Sequence, residues 1–383
     1  MNILIPALAI KKSGGTTRLL RNFLSAIGRI DKENKYIVCV NKDYKLNIED
    51  EKIKVLSFDI KSNLHRFYWD QFEMRKLVKE LKIDLILSLL NFGCINPSVK
   101  QLNFQAGPTP FCQNYVRTLR LKGKIDTSIR RKLLHMTMKA SEVIITPSKA
   151  MRDMIRDFYS DIKESKFKVI HHAFDKERFL NSNPLPSDVE KRLINIEPDT
   201  IKILYVSHLI PYKGYDVIIK AAKRLREWKT RFKFIVTMDR VDWPEGYDLY
   251  LSMIEKFGLS KNLLILNRVP EDAVANLYKQ CDIFMFPSLC ESFGFPMVEA
   301  MGSGLPIVAA GTPVNKEICG KGALYYDPLD AEEAAQKVRL LIEDNAVAEK
   351  LKQNAITQLA NAHINWDVYV KEYLHLFDEV LNG

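Results

Sequence analysis

Paired cysteines, metal-ligand spacings and long apolar runs are all missing from this sequence. The six cysteines, Cys39, Cys94, Cys112, Cys281, Cys290 and Cys319, are spread along the chain without a CxxC pair. That indicates neither a disulfide framework nor a zinc knuckle, and a reducing cytoplasm is the expected compartment. None of the seven histidines stands at ligand spacing from another: His171 and His172 are neighbours, and HExxH and HxH are absent, so no metal site is expected. The most apolar run, Ile283 to Phe286, stops at Pro287, far short of the roughly 18 residues a membrane span requires. The apolar start, Met1 to Ile10, is followed at once by Lys11 and Lys12 and reads as a first β-strand rather than a signal peptide. There is no GxxxxGK[ST] loop, no GxSxG elbow, no complete GxGxxG after a strand and no DxD pair to hold a divalent ion, which removes several large enzyme classes. Sixteen glycines and sixteen prolines leave no room for a collagen or a low-complexity chain.

What is present is globular and long. With 383 residues, 47% of them hydrophobic, the chain suits two cores. Charge divides them: residues 1–180 carry 34 Lys/Arg against 19 Asp/Glu, net +15, and residues 181–383 carry 23 against 28, net −5. Arg117 to Lys139 is the densest basic stretch, with Asp126 its one acid, and such a surface seeks polyanions. Strand-like runs at Asn2–Leu8, Tyr36–Val40, Ile53–Phe58, Asp84–Leu89, Gln101–Phe104 and Glu142–Thr146 alternate with helical patterns such as Leu19, Leu20, Phe23, Leu24, Ile27, Ile30. The alternation pauses at the polar, Pro-bearing stretch Asn181–Asp188, read as a linker, and restarts with runs at 201–207, 232–237, 263–266, 281–286, 305–309 and 323–326. The fold class is therefore α/β, two Rossmann-like doubly wound domains facing a central cleft. The expected boundaries are 1–180, 181–366, and a C-terminal helix at 367–383 returning to the first domain.

The most specific stretch is Glu291-Ser292-Phe293-Gly294-Phe295-Pro296-Met297-Val298-Glu299, directly after the run 281–286. A loop hands over to a helix there, with Pro296 placed as its first residue and Gly302-Ser303-Gly304 as its end. Amides at a helix start, backed by the dipole, can hold a diphosphate without a metal. Glu291 in the loop and Glu299 a turn into the helix suit hydroxyl groups at opposite ends of an elongated ligand.

ESFGFPMVE and its continuation AMGSGLPIVAAG resemble the nucleotide-sugar site of the group 1, or family 4, retaining glycosyltransferases of the GT-B architecture. Ser13-Gly14-Gly15, VIITPSKAM at 143–151, KVIHHAFDKERF at 168–179, VSHLIPYKG at 206–214 and Trp366-Asp367 fall in that family's order. The resemblance implies that Glu299 binds the donor ribose and Glu291 the transferred sugar, with Ser292 and the backbone from Phe293 to Met297 lining sugar and diphosphate. Lys213 matches the phosphate-binding lysine, and Gly14 and Gly15 match the N-terminal loop closing on the phosphates. Val269 marks the region of the base. Two departures stand out. His208 replaces the usual arginine and supplies less positive charge, with Arg240 or Arg268 as compensating cations. Gln105 stands where the family often has histidine, and an amide hydrogen-bonds a hydroxyl but is no general base.

The expected catalytic set is thus Glu291, Lys213, His208 and Gln105. The expected activity is transfer from a nucleotide-diphosphate sugar, GDP-mannose or a UDP-sugar, to a saccharide or lipid-diphosphate-linked acceptor, in bacterial envelope polysaccharide or glycolipid assembly. No cofactor is required and no nucleic acid partner is expected. The basic first domain suits an anionic membrane surface, which would make the protein peripheral on the inner face of the plasma membrane. A phosphorylase, a sugar-nucleotide epimerase and a non-catalytic nucleotide-sugar-binding subunit are the rival readings.

Overall fold

The computed structural model of the chain describes residues 1–10, 15–174, 176–362 and 365–382. It forms two units: Met1–Ala173 with the C-terminal helix Trp366–Asn382, and Phe174 through the helix Asn345–Ala362.

The first unit is built on a seven-stranded sheet, β1 (Asn2–Pro6), β2 (Lys35–Asn41), β3 (Ile53–Phe58), β4 (Leu85–Ser88), β5 (Lys100–Phe104), β6 (Val143–Thr146) and β7 (Phe167–Val169). The order is β3-β2-β1-β4-β5-β6-β7, with every pair parallel. Its central strands are buried along their length, as a sheet covered by helices on both faces requires. The helix Gly15–Ile30 turns Leu19, Leu20, Phe23, Leu24 and Ile27 inward at helical spacing. Against it lies Trp366–Asn382, whose Tyr373 ring meets Phe23 edge-on at 5.0 Å and Tyr369 at 5.1 Å.

β7 escapes the sequence pattern because it has three residues, is half exposed, and carries Lys168 in its middle. The domain boundary also falls earlier than 180/181. Asn183 bonds Asp272 through its backbone N–H (2.7 Å) and its amide (2.8 Å), and Lys279 donates to the Leu180 carbonyl at 2.6 Å. The stretch 181–188 is therefore fastened into the second unit and is no linker.

Just before the boundary, His172 is fully enclosed beside Phe104 and Tyr369. Burial, reinforced by the charges of His171 and Arg18, presses its pKa down to about 3. The unfolded chain therefore binds a proton that the native state refuses between about pH 3 and 6.5, and stability falls as pH drops through that window. Asp70, raised to about 6 by burial against the opposing pull of Arg66, acts in the other direction between about pH 4 and 6. Because the two oppose each other between about pH 4 and 6, His172→Gln should gain urea stability relative to the wild type as pH falls from about 6.5, and a pH-independent difference between the two would place the sensitivity elsewhere.

The second unit repeats the plan with β8 (Ile201–Tyr205), β9 (Phe232–Val236), β10 (Leu263–Ile265), β11 (Ile283–Phe286), β12 (Ile307–Ala310) and β13 (Ala323–Tyr326). The order is β10-β9-β8-β11-β12-β13, again all parallel. Strand order reverses between β8 and β11, and ligands of such sheets bind beyond the carboxyl ends of the strands at that switch point. The segments that leave β8 and β11 are the ones that carry Lys213 and Glu291.

Candidate functional site

After β8 the chain runs through Ser207 and His208 to a 3₁₀ turn, Pro211–Lys213, and then enters the helix Tyr215–Glu227 through Gly214. After β11 it turns at Pro287-Ser288 and enters the helix Phe295–Gly302 through Gly294. Both entry glycines are left-handed, with φ of 71° and 87°. The Leu289 N–H donates to the Tyr212 carbonyl at 3.0 Å, which joins the two segments.

At this junction Lys213 Nζ lies 2.6 Å from Glu291 Oε1, and both side chains are largely buried. Burial alone would lower the Lys213 pKa, but the negative charge of Glu291 and the hydrogen bond to it outweigh that and hold the ammonium above its usual value. The ammonium also stands 5.4 Å above the Tyr212 ring. Glu291 and Lys213, assigned to different parts of one ligand from the sequence, are here each other's partner.

A second cluster forms around Asp242. Its carboxylate is 3.3 Å from His208 Nδ1, accepts the Leu209 N–H at 3.1 Å, and pairs with the Arg268 guanidinium. Arg268 is thus drawn into the surroundings of His208, whereas Arg240 turns away to Asp248 at 2.9 Å. Nothing in the local sequence DRVDW marks Asp242 as more than a polar loop residue.

Glu299 is buried in the Phe295–Gly302 helix, where Tyr278 donates to its Oε2 at 3.0 Å. Tyr278 is the other residue that motif reading passes over. The signal for it is weak: one tyrosine in an ordinary helical pattern. Phe293 is buried edge-on to Phe295 at 5.3 Å, and the Met297 methyl closes against Gly294. The helix begins at Phe295 instead of Pro296, so proline is its second residue. Proline has no N–H, and the Met297 N–H already donates to the Gly294 carbonyl at 3.0 Å. The helix start therefore leaves fewer free amides than its sequence suggests. Val269 is half-buried just past β10.

Gln105 and Gly15 belong to the first unit. Gln105 is fully buried, and its amide nitrogen donates to the Asn91 carbonyl at 3.0 Å and to the Asn103 side chain. Asn91, itself left-handed at φ 63°, pins Gly107 by two further hydrogen bonds. Gln105 thus braces the loop between β4 and β5 through its amide nitrogen. Gly15 opens its helix exposed, and Gly14 lies outside the described residues.

Two parallel sheets of the 3-2-1-4-5-6 type, the second with a cation, two carboxylates and glycine-led helix starts at its switch point, define the GT-B class of sugar-transfer fold. Residues 187–358 match the family described as glycosyl transferases group 1. That stretch spans most of the second unit. D-inositol 3-phosphate glycosyltransferase of Corynebacterium glutamicum is 24% identical over 247 residues, 63% of this chain and 58% of that one. The O-antigen chain mannosyltransferase RfbU of Salmonella typhimurium is 27% identical over 200 residues, 52% of this chain and 51% of its own. The alignment thus spans little more than half the length of these curated relatives. The structure of Anabaena HepE in complex with UDP superposes with a TM-score of 0.76 over 99% of this chain and 100% of that one, at 18% identity. Among the described residues, no helix is long and apolar enough to cross a membrane.

Proposed function

We propose that the protein transfers a sugar, with retention and without a metal, from a nucleotide-diphosphate donor to a saccharide or lipid-diphosphate-linked saccharide. Its setting is envelope polysaccharide or glycolipid assembly at the cytoplasmic face of the membrane. The observation that carries this reading is the buried Lys213–Glu291 pair at the β8/β11 switch point, one short helix away from the buried Glu299. Glycosyl transfer builds positive charge on the sugar and negative charge on the departing diphosphate. A desolvated ammonium beside the leaving oxygen lowers that barrier electrostatically. His208, oriented by Asp242 at 3.3 Å, stands on the same segment as a further hydrogen-bonding group. Glu291, released in part from Lys213 as phosphate arrives, is then available to the sugar hydroxyls, and Glu299 to the ribose. The UDP-bound structural neighbour supports a nucleotide-sugar donor, a UDP- or GDP-linked sugar in this proposal.

Calorimetry with UDP, GDP and ADP tests the reading. One of the three is expected to bind in the micromolar range, and Glu299→Ala should weaken it by on the order of 10- to 100-fold, the worth of charge-assisted hydrogen bonds. Tyr278→Phe, which leaves Glu299 in place but unsteadied, should cost about 3- to 10-fold. Binding of none of the three, or indifference to Glu299→Ala, would overturn the proposal.

A further inference from the structure

Two helical segments of the first unit carry apolar side chains on their solvent side. The helix Asn63–Tyr68 and the π-helical turn Trp69–Glu73 that continues it expose Leu64 (77%), Tyr68 and Phe72. The rings of Tyr68 and Phe72 stand 5.0 Å apart, so they form one patch. The helix Leu121–Lys139 exposes Leu121 (75%), Ile125 and Ile129, four residues apart and hence on one stripe. The two lie side by side. The Gly93 carbonyl accepts from Gln71 at 3.2 Å and from Thr137 at 3.5 Å, one donor from each segment, and the Arg130 charge reaches Arg66.

Around the second stripe Arg117, Arg120, Lys122, Lys124, Arg130 and Lys132 are exposed. The acids nearby are engaged: Asp126 faces Arg130 at 3.9 Å, and Glu73 pairs with Lys76 at 2.9 Å. Exposed leucine and isoleucine inside a ring of cations fit few occupants. A second copy of the chain would bring the same cations face to face, and a nucleic acid would leave the apolar side chains unused. A bilayer with anionic headgroups satisfies both, since apolar side chains enter the boundary between headgroups and acyl chains while lysine and arginine meet the phosphates.

We propose that the Leu64–Phe72 and Leu121–Ile129 stripes form a docking surface for an anionic lipid bilayer. This goes beyond the donor site and does not rest on it, because its test reads binding and not transfer. The full chain is floated with vesicles of phosphatidylcholine alone and of phosphatidylcholine with about one third phosphatidylglycerol, at low and high salt. The expected result is flotation with the anionic vesicles only, weakened about tenfold or more by high salt.

Leu121→Ser, Ile125→Ser and Ile129→Ser combined should lower partitioning by about tenfold or more, and Lys122→Glu with Lys124→Glu by a similar factor. All five side chains are exposed, so urea midpoints and nucleotide affinity should stay at their wild-type values and certify the fold. Equal flotation with neutral vesicles, or serine variants that partition like the wild type, would overturn the proposal. So would a dimer in sedimentation that the serine variants abolish, since the stripe would then be an interface between copies.

Discussion

Replacing Lys213 by alanine is expected to lower the turnover of sugar transfer by about 10²- to 10³-fold at saturating donor, the loss found when one preorganised group facing developing charge is removed. The donor KM should move less, because the ammonium matters most when the diphosphate takes on charge. The substitution also strands Glu291 as a buried carboxylate without its cation, and breaking one side of a buried pair is itself destabilising. A double-mutant cycle separates the two effects. If Lys213 acts only as the partner of Glu291, then Lys213→Ala in a Glu291→Gln background should cost almost nothing further in rate. If it acts on the leaving group, most of the 10²- to 10³-fold loss should persist there. Persistence supports the mechanism, and a vanishing loss sinks it.

The two sheets were legible because they depend on buried, β-branched runs spaced by amphipathic helices, and those leave a periodic trace. β7 left none, since a three-residue edge strand needs neither continuous burial nor a long apolar run. The boundary was misplaced for a different reason. Pro184, Pro186 and the asparagines around them have linker composition, and their attachment to Asp272 and Asn276 is a tertiary fact that local composition does not contain. The site divides in the same way. Glu291, Glu299 and Lys213 stood out because their spacing is rigid along the chain. Asp242 and Tyr278 reach the site from segments that have no spacing constraint of their own, and only folding brings them to His208 and Glu299. That Lys213 and Glu291 neutralise each other across 78 positions of sequence was equally invisible.

Gly214→Ala is expected to destabilise the second unit by about 2–4 kcal/mol, which combines roughly 1–2 kcal/mol for a left-handed non-glycine residue with the cost of an overlap that cannot be relieved by a rotamer change. The φ of Gly214 is 71°, and a Cβ there would stand 2.4 Å from the Pro287 carbonyl oxygen, a backbone atom. Gly304 is the control within the same unit. Its φ is 72°, but no atom lies within 4 Å of its would-be Cβ. Gly304→Ala should therefore show the backbone cost alone, about 1–2 kcal/mol, and the difference between the two urea midpoints measures the contact with Pro287. The functional consequence separates them further. The contact at Gly214 sets how closely the Lys213 segment approaches the segment carrying Glu291, so Gly214→Ala should reduce nucleotide affinity under conditions where the unit remains folded, while Gly304→Ala should leave it unchanged. Equal stability losses at the two positions would mean that the β8 and β11 segments are not held together at Gly214, and the preorganisation of the Lys213–Glu291 pair would need another source.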